Sequence, residues 1–146
     1  MFKFRFESLL NHRRHEEEVA QKMLSEAQMD LLQEQKRLKS IKKQRRENLY
    51  QLKRLQTGAL APHEISLSLK FIDKLGVEIA HQQEMVHQAQ QRVAQRQQAL
   101  VSAVKRRKML EKLKEKELRR HQTDLMKKEL KFMDEVAASR HVRGHS

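Results

Sequence analysis

Residues 57–62 read Thr57-Gly58-Ala59-Leu60-Ala61-Pro62, and they are the only place in this 146-residue chain where a glycine and a proline lie close together. Gly58 suits the left-handed position that ends a helix. Pro62 suits the first turn of the helix that follows. Because the chain has only two other glycines and no other proline, this segment is predicted to be a single turn between two long helices.

Two heptad stripes flank this turn. Before it, positions separated alternately by three and four residues run from Leu10 to Leu55, and nine of the fourteen are apolar. After it, a second stripe runs from Ile72 to Leu110, and nine of its twelve positions are apolar. A stripe sustained over several heptads is the pattern of a coiled coil. The sequence therefore predicts an all-α fold, an antiparallel two-helix coiled-coil hairpin whose second helix is longer than the first.

We expect one coiled-coil domain over residues 1–146. Helix 1 is predicted over about 5–57, the turn over about 57–62 and helix 2 over about 62–140, with residues 141–146 disordered. The charged or polar exceptions within the first stripe weaken the seam and would fix its register. These exceptions are Arg13, Glu17, Glu34, Arg45 and Asn48.

The apolar pattern changes beyond Leu110. Continuing the same frame would place Lys114, Glu117 and His121 in the seam, whereas a shifted frame is apolar at Leu118, Leu125, Phe132 and Val136. The shift corresponds to four residues inserted into the heptad repeat, which is typical of a stutter. With a turn near residue 60, helix 2 should outrun helix 1, so that residues beyond about 116 have no partner within the chain. Their apolar stripe predicts contact with another protein.

Composition excludes several classes of function. The chain has no cysteine, so it has neither a disulfide scaffold nor a thiolate metal site. No apolar run reaches the 18 residues of a membrane span, and the N-terminus has no apolar segment typical of a signal peptide. We therefore expect a cytoplasmic protein.

The net charge of +13 is concentrated in two stretches. Residues 36–54 hold nine basic residues against one acidic residue, and residues 105–146 hold fourteen against seven. Such stretches attract nucleic acid, anionic lipid or acidic protein surfaces, and charge alone does not choose among them.

Chemical sites are weakly indicated. A two-helix hairpin offers no enclosed pocket, and catalysis needs fixed groups in a site that excludes water, so the sequence predicts no enzyme, no catalytic residue and no cofactor. His12, His15 and Glu16 have a spacing that could hold a metal, but an exposed helical surface is the favoured interpretation and no metal is expected. The glutamine-rich stretch from Gln82 to Gln98 is interpreted as a solvated face. Tyr50, Phe71 and Leu75 place large apolar side chains near the turn, which predicts a contact site.

The opening Phe4-x-Phe6-x-x-Leu9-Leu10-x-x-Arg13-x-x-Glu16-Glu17 resembles the N-terminus of the FliJ family of flagellar protein-export components. The segment Phe71-Ile72-x-x-Leu75-x-x-x-Ile79 is similar to that family as well. The resemblance implies an antiparallel coiled coil similar to the central stalk of rotary ATP synthases. It also implies a non-enzymatic component of the bacterial flagellar type III export apparatus, associated peripherally with the cytoplasmic side of the cell membrane. The two stripes with a single break predict that the hairpin is a monomer.

The resemblance further implies partners and contact residues. The partners are the hexameric export ATPase FliI, the membrane export gate FlhA and flagellar export chaperones, with no specific nucleic acid. The export-gate face would comprise Phe71 and Leu75, with Tyr50 corresponding approximately, and Gln82 stands where the family can have histidine. The end that carries both termini would enter the ATPase ring. Its implied contact residues are Phe4, Phe6, Leu9, Leu10, Arg13, Leu118, Leu125 and Phe132.

Two alternatives stay open at this point. One is the equivalent stalk of a virulence type III secretion system, although the Phe-x-Phe-x-x-Leu-Leu start favours the flagellar branch. The other is a basic coiled-coil module that binds nucleic acid or acts as a scaffold.

Overall fold

Two antiparallel helices make up the protein, as the heptad stripes predict. The computed structural model describes residues 1–58 and 62–144, in which α1 spans Glu7–Gln56 and the longer α2 spans Pro62–Gly144. The described residues contain no strand. Residues 59–61 of the predicted turn, and residues 145–146, lie outside the described part of the chain.

Short-range hydrogen bonds lie at both ends of α1, and its end lacks the glycine geometry that the sequence predicts. At its start the backbone N–H of Leu10 donates to the Phe6 carbonyl at 2.9 Å, and Glu7 lies in the first turn, where a carboxylate interacts favourably with the helix dipole. At its end the Thr57 hydroxyl donates to the Arg54 carbonyl at 2.7 Å, and the Gly58 N–H donates to the Leu55 carbonyl at 3.2 Å. No described residue has a positive φ, so the left-handed conformation predicted for Gly58 is wrong. Short-range bonds close this helix instead.

α2 begins at Pro62, where the sequence predicts its first turn. Its other end lies beyond the predicted one, because residues 141–144 continue the helix to Gly144. His141 and Arg143 lie in this last turn, where positive charge favours the carbonyl end of a helix. Residues 141–144, for which the sequence predicts disorder, are helical in the structure.

The described contacts fall into two compact units. The terminal unit comprises residues 1–18 and 102–146, and the turn unit comprises residues 19–101. Each unit contains part of α1 and part of α2, and each is described below by itself. That the chain forms one coiled-coil domain stays a prediction.

The turn unit is held by a narrow apolar seam. Among the described residues of this unit, the buried apolar ones all lie on the two predicted stripes: Ala27, Leu52, Ile72, Leu75 and Ala89. Gln82 is also buried, and its amide donates to the Glu34 carbonyl oxygen at 3.0 Å and to the Glu34 carboxylate. This pairing satisfies a buried amide, and it shows that Gln82 belongs to the seam and not to the solvated face inferred from the glutamine-rich stretch.

The terminal unit keeps the original heptad frame beyond Leu110. Lys114, Glu117 and His121 are half-buried, whereas Leu118 is exposed. The Lys114 ammonium pairs with the Glu7 carboxylate at 2.9 Å, and the His121 ring lies 5.6 Å from the Phe2 ring. The predicted change of frame is therefore wrong for residues 111–121, because α1 and its N-terminal extension supply polar and aromatic partners for the polar seam positions. The Phe2–His121 contact lies about five residues beyond the point at which helix 2 was expected to outrun helix 1.

Candidate partner-binding surfaces

The N-terminal aromatic residues pack within the terminal unit. Residues 1–6 precede α1, and the Phe4 and Phe6 rings meet edge-on with their centroids 6.0 Å apart. The Arg5 guanidinium lies 5.2 Å from the Phe6 ring centroid, within the range of a cation–π contact. Phe4 is buried, whereas Phe6 is half-buried. This segment thus forms part of the core at the termini.

The implied ring-contact residues divide by burial. Phe4 and Leu10 belong to the core, and Leu10 is completely buried. Phe6 and Arg13 are half-buried. The side chains on the surface are Leu9, Leu118, Leu125 and Phe132.

A network of ion pairs joins α1 and α2 in the terminal unit. The Arg107 guanidinium binds the carboxylates of Glu17 and Glu111, the latter at 2.7 Å. Arg14 lies 3.7 Å from Glu111, and Arg106 lies 3.8 Å from Glu16. Because Arg107 bridges one carboxylate on each helix, the network aligns the two helices in a single register.

The network sets the protonation of its members. The hydrogen bond from Arg13 to Glu16, 3.1 Å long, together with the nearby charges of Arg13, His12 and Arg106, lowers the pKa of the Glu16 carboxyl against a smaller opposing effect of burial. The hydrogen bond to Glu17 raises the pKa of the Arg107 guanidinium. Both shifts favour the charged forms of Glu16 and Arg107 at neutral pH.

Sequence reasoning detected this network only in part. It singled out Arg13 and Glu17 as polar exceptions in the seam but did not pair them with residues of helix 2. The residue numbers contained a usable signal. Antiparallel partners on either side of a turn near residue 60 have numbers that sum to about 120, and the numbers of the oppositely charged Glu17 and Arg107 sum to 124.

α2 carries an uncovered apolar surface after His121. Every described residue from 122 onward is exposed except Val136, which is half-buried. Phe132, Met133, Val136 and Ala137 line one shallow surface depression, and Leu125 lines a second one that shares Phe132 and Met133. The shifted frame predicted from sequence is therefore present as an exposed stripe of a helix without an α1 counterpart among the described residues.

The predicted gate-contact residues lie in the turn unit and also divide by burial. Tyr50 is 64% exposed and Phe71 is 40% exposed, whereas Leu75 is only 2% exposed. Leu75 is a seam residue of the hairpin, which follows from its place on the second stripe. In a contact surface that includes Phe71, Leu75 would therefore lie beneath the exposed side chains and would not itself be exposed to the partner.

Chemistry beyond binding finds little support in the described residues. His12 pairs with Glu16 at 2.9 Å, but no group of three His, Cys, Asp or Glu side chains within residues 1–58 and 62–144 is arranged to hold a metal. In the same residues no helix is long and apolar enough to cross a membrane. The distinctive features are surfaces and charge.

The family model of the flagellar FliJ protein matches residues 2–146. The chain belongs to the FliJ family. No curated protein and no solved structure is similar enough to match it.

Membership in the FliJ family makes this chain a protein associated with flagellar export. The FliJ match extends over the N-terminal aromatic segment, both helices and the exposed stripe of α2. It covers the Phe4-to-Glu17 opening on which the resemblance was stated, and it agrees with the two-helix architecture.

Proposed function

We propose that this FliJ family member is a non-enzymatic stalk of the flagellar type III export apparatus. In this proposal it binds the hexameric export ATPase FliI through the terminal unit and the membrane export gate FlhA through the turn unit, and it helps cycle export chaperones. The observation that carries the proposal is the exposed apolar stripe of α2 after His121. We propose a cytoplasmic location, with peripheral attachment to the membrane through the apparatus.

The terminal stripe supports a contact with the ATPase ring. Leu125 and Phe132 expose apolar area that a helix in water cannot bury by itself, and tertiary contact supplies most of the stability of a helix. Lys127, Lys128 and Lys131 lie among them and would steer the stripe toward an acidic rim. A partner that offers an apolar pocket with an acidic edge therefore fits this surface.

Hydrogen exchange of the free and ATPase-bound protein tests the ring contact. We expect amides of residues 122–140 to exchange rapidly in the free protein and to become protected in the complex. Phe132→Ala should weaken binding, whereas the matched control Met126→Ala, which removes an equally exposed side chain at 66%, should not. Protection confined to the turn unit would overturn the proposed orientation.

The gate contact rests on Tyr50 and Phe71. Both aromatic side chains are exposed in the turn unit, and aromatic residues commonly anchor interfaces. We expect Phe71→Ala to weaken binding to the gate without changing helix content. Val77→Ala is the control, because Val77 is exposed in the same unit. An equal loss in both variants would show that Phe71 is not the anchor.

The two alternatives make different predictions. A virulence type III stalk would bind the ATPase of that system, whereas the family match is to a flagellar protein. A nucleic-acid module would be recovered from lysate with nucleic acid alone, and nuclease treatment would remove its partners. Recovery of a hexameric ATPase after nuclease treatment is the result expected for the flagellar stalk.

A further inference from the structure

We infer that the turn unit has a second binding surface, a cationic groove that receives an acidic amphipathic helix of a partner protein. The groove is open to solvent and has a volume of about 690 Å³ between α1 and α2. Its apolar floor consists of Leu38, Ile79 and Val86, and its polar edge comes from α1. The edge residues are Gln35, Lys39, Lys42, Arg45 and Arg46.

The floor of the groove is incompletely covered by the hairpin itself. Leu38, Ile79 and Val86 occupy seam positions, yet they are only half-buried, whereas Ile72 and Leu75 in the same unit are buried. Burial of apolar area contributes about 25 cal/mol per Å². A third helix laid along the groove would therefore complete the burial that the two helices leave unfinished.

Spacing matches a helix better than a nucleic acid strand. Ile79 and Val86 are seven residues apart on α2, as are Leu38 and Arg45 on α1, and seven residues advance a helix by about 10.5 Å. This is the repeat at which another helix presents its own apolar side chains. A phosphate backbone has no apolar stripe to place on such a floor, and aromatic side chains, which stack on bases, do not line it.

The charge of the edge selects an acidic occupant. Within the described part of the chain, four cations line the groove and no acidic side chain does. All seven ion pairs recorded for the described residues lie in the terminal unit, so none of them neutralises a groove cation. The Nε atom of Arg45 is buried and has no hydrogen-bond partner within the described part of the chain. Glutamates flanking the apolar face of a docked helix would supply partners for Lys39, Lys42 and Arg46.

A second copy of the chain does not fit this groove. Each copy carries a net charge of +13, so dimerisation here would bring like charges together. The groove is also separate from the proposed gate contact, because Tyr50, Phe71 and Leu75 do not line it. When Leu10 of α1 and Ile72 of α2 are assigned to heptad position a, Phe71 and Leu75 lie at positions g and d. The groove residues lie at positions a, b and e. The inference therefore does not rest on the contacts with the gate or the ring.

Binding of a designed peptide to the full chain tests the inference. The probe is a fluorescent helix of about three heptads with leucine at a and d and glutamate at e and g, and its counterpart replaces every glutamate by glutamine. The groove variant is Lys39→Glu, Lys42→Glu and Arg46→Glu together. The matched control is Lys36→Glu, Arg37→Glu and Lys43→Glu, which changes the net charge equally on exposed positions of the same helix that do not line the groove.

We expect the groove variant to weaken peptide binding by about tenfold or more and the control by no more than about threefold. The glutamine peptide should bind the wild-type chain as weakly as the glutamate peptide binds the groove variant. Both sets replace exposed side chains, so circular dichroism should show unchanged helix content. A photo-crosslinking residue at position 42 should attach to the peptide, and one at position 43 should not, which tests the site even if a triple variant folds poorly.

Three results would overturn the inference. Equal losses in the two triple variants would mean that net charge alone attracts the peptide. Undiminished binding of the glutamine peptide would remove the acidic requirement. Displacement of the peptide by a single-stranded oligonucleotide that crosslinks preferentially at position 42 would identify the groove as a nucleic acid site.

Discussion

The terminal unit and the turn unit both carry an excess of positive charge, but they differ in whether their cations are paired with carboxylates. In the terminal unit Arg107 bridges Glu17 and Glu111, and Lys114 pairs with Glu7 across the two helices. In the turn unit four cations of α1 line an open groove without carboxylate partners among the described residues. The buried polar group of this unit is the neutral amide of Gln82, which donates to the backbone carbonyl and to the carboxylate of Glu34. Charge stabilises helix pairing in one unit and is left for a partner in the other.

The largest expected effects come from core truncation and ask whether the two units unfold separately. Leu10→Ala in the terminal unit and Leu75→Ala in the turn unit each remove a side chain that is almost fully buried, so each should lower the free energy of unfolding by about 2–4 kcal/mol. The exposed control Leu125→Ala should change it by less than about 0.5 kcal/mol. Thermal melts followed by circular dichroism measure these differences.

Hydrogen exchange on the same variants then tests the division. Each substitution should accelerate exchange mainly in its own unit if the units open separately. Equal acceleration in both units would show that they unfold as one cooperative structure, and the comparison of their charge patterns would then describe one domain.

Replacing an arginine should have opposite signs in the two units. Arg107→Met leaves Glu17 and Glu111 without their shared cation and should lower the melting temperature more than the exposed control Arg106→Met. Arg45→Met removes a buried nitrogen that has no recorded hydrogen-bond partner and should raise stability by up to about 1 kcal/mol. Destabilisation by both substitutions would show that Arg45 has a stabilising partner in solution.

Acid should weaken the terminal unit first. The pKa of Glu16 is lowered in the folded protein, chiefly by its hydrogen bond with Arg13, so its stabilising effect is complete above the ordinary glutamate value of about 4.3. The effect is lost as the pH falls through the lowered pKa. Melting curves between pH 6 and 2 should show a smaller decline for Glu16→Gln than for the wild type. Identical pH profiles would show that Glu16 does not contribute.

The smallest expected effect is a gain in the turn unit. Gly76 lies within α2, and an added Cβ would approach nothing nearer than the Arg45 Nε atom at 3.7 Å. Gly76→Ala should therefore stabilise the hairpin by about 0.5–1 kcal/mol through helix propensity. A lower melting temperature would instead mean that the packing of Arg45 against Gly76 is tighter than this contact distance implies.

Sequence reasoning succeeded where one physical rule determines the outcome. The spacing of apolar residues predicts two helices, their antiparallel order and the seam from Leu10 to Leu55 and from Ile72 to Leu110. Every one of these seam positions is buried or half-buried except Leu55, which is exposed. Sequence reasoning failed at His121 and Lys114, because an apolar pattern does not reveal that Phe2 and Glu7 are available as partners. The family resemblance implies contact roles for Phe4, Leu10 and Leu75, and their burial in the structure could not be predicted from it, because burial depends on what packs against each side chain.

The uncovered end of α2 has a consequence for the lifetime of the protein in the cell. Residues 122–144 form roughly 35 Å of helix with no α1 segment recorded beside it, and Lys127, Lys128, Lys131 and Arg140 are exposed along it. Proteases cut backbone that opens, so a copy whose terminal helix frays is degraded faster than a copy whose helix is covered. Limited trypsin digestion should remove this end first and leave the paired helices intact. Degradation of the uncovered copies would then limit the amount of the protein to the number of partner sites that can bind it.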